Sequence, residues 1–283
     1  MNPEAQAAYE RMLAKMPEKK RRRYRLAVEQ AALDLKRNGL QYDRCETIHR
    51  VHYTEEVASK ADRDTVGGVP FLCEGFPVPK CGSCGKTMGL NLQFDIRGWF
   101  NLPSAEGSHV LAFCCDCQPA EINAYQFSDC DNRLPSSYWE RRKTHELYLL
   151  PPGSSYQPGE LDTFFLPKRL DFFEDTEVVL KSKKQSEDKT FSTNWHCKVG
   201  GVDAWEYVNY SGLRCCCGSK MAFLYQTHHF FVFELYPEQH TSKELNFLNC
   251  LRESVKLLAC EQQCNPRAII AIADDQRFIE STS

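Results

Sequence analysis

The sequence predicts an α+β chain in which a duplicated β-rich unit lies between helices at the N-terminus and the C-terminus. Three observations carry this. Apolar residues recur at helical spacing near both ends, short β-branched and aromatic runs fill the middle, and part of the chain repeats in constant register.

At the start, 3–16 and 17–38 read as helices. Pro17 suits a first helical turn and Gly39 follows the end of the second helix. Tyr24, Val28, Ala31 and Leu35 give that helix one apolar face. From about residue 45 the pattern changes to strands. Thr47–Tyr53, Gly89–Ile96, Val110–Cys114, Glu177–Lys181 and His229–Tyr236 are short runs bounded by turn residues. Pro151-Pro152-Gly153 marks a mid-chain loop, and the polar stretch Lys181–Asp188 another. Leu245, Leu248, Leu251, Val255 and Leu258 then step at helical spacing, which predicts a late helix of about 20 residues.

The repeat has an offset of 133: Val66-Gly67-Gly68-Val69 recurs as Val199-Gly200-Gly201-Val202. At the same offset Cys84-Gly85 matches Cys217-Gly218, Met88 matches Met221 and Gln93 matches Gln226. Eight identities in one register, four of them Gly or Cys, imply duplication. The expected organisation is a basic helical segment at 1–40, a first repeat at 41–150, and a second at 151–283 that ends in a helix.

The 283 residues, 42% hydrophobic and 26% charged, are those of a globular protein. No apolar run approaches the ~18–20 residues of a membrane span. The N-terminus lacks the apolar stretch of a secretory signal, so a cytoplasmic location is expected. In a reducing compartment the 15 cysteines read as thiols and metal ligands rather than as a disulfide framework. The net charge is −3, but residues 1–40 hold ten Lys/Arg against five Asp/Glu, or +5, leaving −8 for the remainder. An acidic body argues against a protein built mainly to grip phosphate backbones.

Cys81-Gly82-Ser83-Cys84 and Cys114-Cys115-Asp116-Cys117 are two Cys-x-x-Cys pairs separated by 29 residues. A Cys-x-x-Cys turn directs two sulfurs at one ion, and four thiolates suit tetrahedral zinc. The expected set is Cys81, Cys84, Cys114 and Cys117 around one structural Zn2+. Cys115 remains the alternative to Cys114, pairing with Cys117 in a tighter turn. In the second copy Cys81 aligns with Arg214, so that site reads as degenerate. A metal there would need Cys215 and Cys217 with either Cys197 or a Cys260/Cys264 pair.

Other chemistry finds little support. His49 and His52, three apart in a strand, point to opposite faces. No nucleophile elbow, zinc-protease helix or phosphate loop is present, so neither an enzyme nor a small-molecule substrate is expected. Trp99, Phe100, Tyr125 and Trp205 are expected to be buried. Lys19, Lys20, Arg21, Arg22, Arg23 and Arg25 form a basic run in the second helix. It reads first as a solvated face and second as a contact for nucleic acid or another anionic partner.

Val66-Gly67-Gly68-Val69-Pro70, the knuckle from Cys81 to Met88, Leu90 to Gln93, and Leu111-Ala112-Phe113 leading into Cys114–Cys117 together resemble the YwqG-like proteins. They are also similar to the programmed cell death protein 2 family. Residues 197–236 resemble the same pattern. The resemblance implies a duplicated β-rich α+β fold without enzymatic activity. Programmed cell death protein 2 relatives chaperone a small-subunit ribosomal protein, and some YwqG-like proteins have been proposed to act in toxin–immunity systems. The expected function is a zinc-stabilised protein-binding module, chaperone-like or inhibitor-like, whose acidic body receives a basic protein partner. The alternative is a nucleic-acid-binding protein using the 19–25 helix and the zinc knuckle.

Overall fold

A computed structural model describes Ala14, Glu18 and residues 40–102, 106–118, 131–153, 156–159, 165–182, 190–192, 196–202, 212–227, 232–236, 244–249 and 254–273. The described strands are β1 (Leu40–Val57), β2 (Thr65–Val66), β3 (Phe71–Cys73), β4 (Gly89–Asp95), β5 (His109–Cys114), β6 (His145–Leu150), β7 (Tyr156–Pro158), β8 (Lys168–Ser182), β9 (Thr190–Ser192), β10 (Lys198–Val199), β11 (Met221–Gln226), β12 (Val232–Glu234), β13 (Glu244–Asn246), β14 (Val255–Cys260) and β15 (Ile269–Ala273).

This architecture is mostly β, which corrects the α+β class. The predicted C-terminal helix is not one: Leu245 lies in β13, Leu248 in a short 3-10 turn at φ 53, and Val255 and Leu258 in β14. All six residues of β14 are buried. A strand covered on both faces reads as a continuous apolar run, which periodicity alone does not separate from a helix. The predicted N-terminal helices lie outside the described residues, except that Ala14 and Glu18 are helical.

The chain divides into two compact units, and the boundary passes within β1 and within β8. The smaller comprises 1–48, 175–195 and 201–205. There β8 pairs with β9 through Val179↔Ser192 and Leu180↔Phe191. The buried Glu177 carboxylate accepts the Ser192 hydroxyl and, at 2.6 Å, the Val202 N–H.

The larger unit is built on strands ordered β15-β14-β11-β10-β1-β8-β2-β4-β5-β6. The order is palindromic: β2, β4, β5 and β6 of the first repeat correspond to β10, β11, β14 and β15 of the second. The leading strands are exchanged. β1, first in sequence, pairs antiparallel with β10 (His49↔Val199), and β8 pairs with β2 (Val66↔Lys168). The duplication extends to irregularities, because β4 is bulged between Leu90 and Leu92 and β11 between Phe223 and Tyr225, again 133 apart. Gly67, Gly68, Gly200 and Gly201 all have positive φ, of 60, 89, 78 and 76°. In the first copy Gln93 locks the segment after this turn, donating to Thr65 Oγ1 and Val69 O and accepting the Phe71 N–H at 3.0 Å.

Side-chain alternation sorts the strands into faces. Val110, Ala112 and Cys114 join Leu147, Leu149, Val255, Leu257, Ala259, Ile269 and Ala271 in one shared core. The opposite face carries two smaller clusters. Leu111, Phe113 and Cys115 pack with Cys81, Met88 and Leu90, while Leu258 and Cys260 pack with Cys215, Met221 and Ile270. The outermost strands approach each other, since the Leu149 N–H donates to Pro266 O at 2.7 Å. At that seam buried Arg142 donates to Leu147 O (3.2 Å) and Arg267 O (3.1 Å), and Arg267 pairs with Glu146 at 2.5 Å. The sheet therefore curls into a nearly closed barrel.

Two predictions follow from this packing. A Cβ on Gly67 would lie 2.8 Å from Phe165 Cβ and 2.9 Å from its carbonyl oxygen, whereas Gly75, at φ 74°, has open space. Gly67→Ala should cost ~2 kcal/mol more than Gly75→Ala in urea unfolding, because only the first adds a clash to left-handed strain. Equal losses would contradict the turn packing. His145 shares the Leu147 and Leu149 side of β6, and neither ring nitrogen has a hydrogen-bond partner. Burial, with the Arg142 charge adding, pushes its pKa from 6.5 to about 3. The folded ring stays neutral while the unfolded one takes up a proton below 6.5, so stability is lost as pH falls through that window. Between pH 7 and 4 wild type should lose up to ~3 kcal/mol more than His145→Leu. Parallel pH profiles would show that His145 is not the group responsible.

Candidate metal centres

Each half carries a cysteine knuckle just before one of its sheet strands, β4 in the first and β11 in the second. In the first, the Cys81 N–H donates to Lys86 O and the Gly85 N–H donates back to Cys81 O, both at 2.8 Å. Gly85 has φ 75°, which lets the chain reverse and brings Cys84 round beside Cys81. In the second, the Cys215 N–H donates to Ser219 O and the Gly218 N–H to Cys215 O, both at 2.8 Å, with Gly218 at φ 90°. The second knuckle is the same turn with one residue fewer, so Cys-x-Cys stands for Cys-x-x-Cys.

The other two ligands come from across the sheet. Cys115 directly follows β5 and its N–H donates to Thr144 O at 2.8 Å. Cys260 ends β14 and its N–H donates to Ala268 O at 2.9 Å. Cys117 and Cys264 lie on the loops that follow.

These elements assemble two tetrads, Cys81/Cys84/Cys115/Cys117 and Cys215/Cys217/Cys260/Cys264, each with all four sulfurs within 4.8 Å of one another. Cys81 and Cys117 Sγ are 3.6 Å apart, and Cys84 and Cys115 3.5 Å. The matching distances in the second tetrad are 3.4 Å for Cys215–Cys264 and 3.6 Å for Cys217–Cys260. A disulfide would need ~2.05 Å. A tetrahedron of thiolates at ~2.3 Å from an ion has edges of about 3.8 Å, which these spacings approach. In both centres one cysteine of each pair is buried and the other exposed. The two tetrads could therefore each hold a metal ion.

Electrostatics point the same way. Burial opposes ionisation of Cys81, but the N–H groups of Cys84 and Ser83 reach its sulfur and draw the thiol down to about 7. In the second knuckle burial again opposes, and the Ser219 N–H helps to lower Cys217. Burial instead pushes Cys115 and Cys215 well up, and Cys264 to about 12. Four thiols this close cannot all ionise unless a cation sits among them; a dication supplies that compensation.

Three expectations change. Cys115, not Cys114, joins the first tetrad: along β5, Cys114 follows Val110 and Ala112 into the shared core while Cys115 follows Leu111 and Phe113 toward Cys81. The second site is not degenerate, and the chain has two tetrads rather than one. Cys197 is buried in the shared core, apart from them. A fixed offset of 133 set Cys81 against Arg214; one gap in the knuckle would have set it against Cys215. The basic run Lys19, Lys20, Arg21, Arg22, Arg23 and Arg25 lies outside the described residues. His49 is buried and His52 exposed, on opposite faces as expected. No family model and no curated protein matches this chain.

Wild type should bind two metal ions per chain by elemental analysis of the purified protein. Cys115→Ser and Cys217→Ser should each reduce this to one, and Cys114→Ser should leave two. Loss of an ion from Cys114→Ser with none lost from Cys115→Ser would reverse the assignment.

Proposed function

We propose that this chain is a protein-binding module, chaperone-like or inhibitor-like toward a basic protein partner, held in shape by two structural zinc ions. The observation that carries the reading is the completeness of each tetrad. Four cysteines fill a tetrahedral shell and leave no position for substrate or water, which is the pattern of structural rather than catalytic zinc. Sulfurs within 4.8 Å leave room for one ion rather than a multi-iron cluster, and an all-thiolate tetrahedron suits zinc among the common divalent metals.

The charge of −8 outside residues 1–40 supports a basic partner. The resemblance to the programmed cell death protein 2 family, whose members chaperone a ribosomal protein, supports the same class. Among the described residues no helix is long and apolar enough to cross a membrane. No disulfide joins any two of the 13 described cysteines. The nucleic-acid alternative rests on the 19–25 run.

Purification of the tagged full-length protein from its native cells, with nuclease and graded salt, separates the readings. A stoichiometric basic protein retained after nuclease, and released when a chelator strips the zinc, is the expected result. Recovery of nucleic acid alone, lost steeply with salt and on deleting residues 1–40, would overturn it.

A further inference from the structure

A cleft of about 350 Å³ opens on the larger unit among the loop before β2, the turn after β4 and the start of β8. Trp99 stands on its wall with 51% of its surface exposed, where burial was expected. Its indole is held in place by His49 at 4.4 Å and Phe100 at 4.4 Å between ring centroids. A fixed, half-open indole offers a ready-made platform for a flat or cationic group.

The charges around it are mostly paired with one another. Arg63 makes a two-pronged contact with Asp95 at 2.6 and 2.7 Å. Arg97 is paired with Asp64 and lies 5.5 Å from the Trp99 ring and 5.1 Å from that of Phe172. Arg169 lies 3.1 Å from Glu56 and 3.4 Å from Asp171. The lining itself holds three guanidinium groups and three carboxylates, and of these Asp62 has no cationic partner among the described residues. Asp62 Oδ2 accepts the Ser59 N–H at 2.6 Å, and Asp171 is 37% exposed. Because the cleft's own arginines are already paired, a free anion gains little there, whereas Asp62 and the part-exposed Asp171 still offer acceptor oxygens to a cation.

We propose that this cleft is an arginine-binding subsite for the basic partner, a proposal that rests on the protein-binding reading above. The incoming guanidinium stacks on Trp99 and donates to the carboxylates of Asp62 and Asp171. Arginine suits it better than lysine, because a planar, weakly hydrated cation stacks on an indole and serves two acceptors at once. Arg97, paired with Asp64, lies beside the platform and does not compete for Asp62 or Asp171.

The test titrates ¹⁵N-labelled, zinc-loaded full-length protein with a hexapeptide containing three arginines, following the indole N–H signal that disappears in Trp99→Ala. The Trp99 signal should shift saturably, while the Trp139 signal stays put and reports an intact fold. The double variant D62N/D171N should bind at least ten-fold more weakly, and replacing arginine by lysine should weaken binding several-fold. Three outcomes would overturn the proposal: no shift at millimolar peptide, an equal shift with citrulline in place of arginine, or a Trp99 shift with inorganic phosphate instead of the peptide. The wider reading is tested separately. A basic protein that co-purifies equally with wild type and D62N/D171N leaves protein binding standing but removes this cleft from it. Absence of any such protein removes the wider reading and leaves the peptide result to be judged by itself.

Discussion

The exchange of β1 and β8 is the constraint on which the rest of the structure depends. Each repeat contributes a leading strand that pairs with the other repeat, so neither can complete its part of the sheet alone. A strand without its neighbour exposes a row of unpaired backbone groups, and the exchange removes both such edges at once. It also places the two repeats head to head in a palindromic order, which carries β6 and β15 to the two ends. There Arg142, Glu146 and Arg267 link the ends through partly buried hydrogen bonds. The shared core is therefore common to both repeats, with residues of each lining it side by side.

The two outer clusters are a different matter. The first is drawn from the first repeat alone, and the second joins Leu134, Tyr138 and Trp139 of the first repeat to residues of the second; with nine and eleven buried residues, both are too small to close a large surface by apolar contact alone. Each ends at a cysteine tetrad, where a knuckle on one element meets a strand end on another. A metal ion bound at that point would join segments distant in sequence and restrain the unfolded chain as a crosslink does. The repeat has preserved the cysteine tetrad while changing its spelling: the second knuckle is one residue shorter, and its far pair is Cys-x-x-x-Cys rather than Cys-x-Cys.

The duplication was legible because its markers are backbone constraints: paired glycines in left-handed turns, a buried glutamine, and the glycine that closes each knuckle. The first knuckle was legible for the same reason. What escaped was information set by tertiary context. The choice between Cys114 and Cys115 depends on which way β5 faces, and the alternation from Val110 onward held that answer in principle. The strand character of Val255–Cys260 did not show, because burial on both faces erases the two-residue period. The exchange of leading strands has no local signature. It is decided by pairing between residues about 100 to 150 positions apart, such as His49 with Val199. The exposed Trp99 is likewise a property of the assembled cleft, since aromatic identity alone favours burial.

Both repeats carry a tetrad of cysteines that could close an all-sulfur shell around a metal ion. X-ray absorption at the metal edge of the purified chain reads this directly, because it averages the coordination of every bound ion. Four sulfur neighbours at about 2.3 Å, with no light-atom scatterer bound to the metal, is the expected result. A mixed shell, with nitrogen or oxygen at ~2.0–2.1 Å beside fewer than four sulfurs, would contradict it and reopen a catalytic or incomplete site.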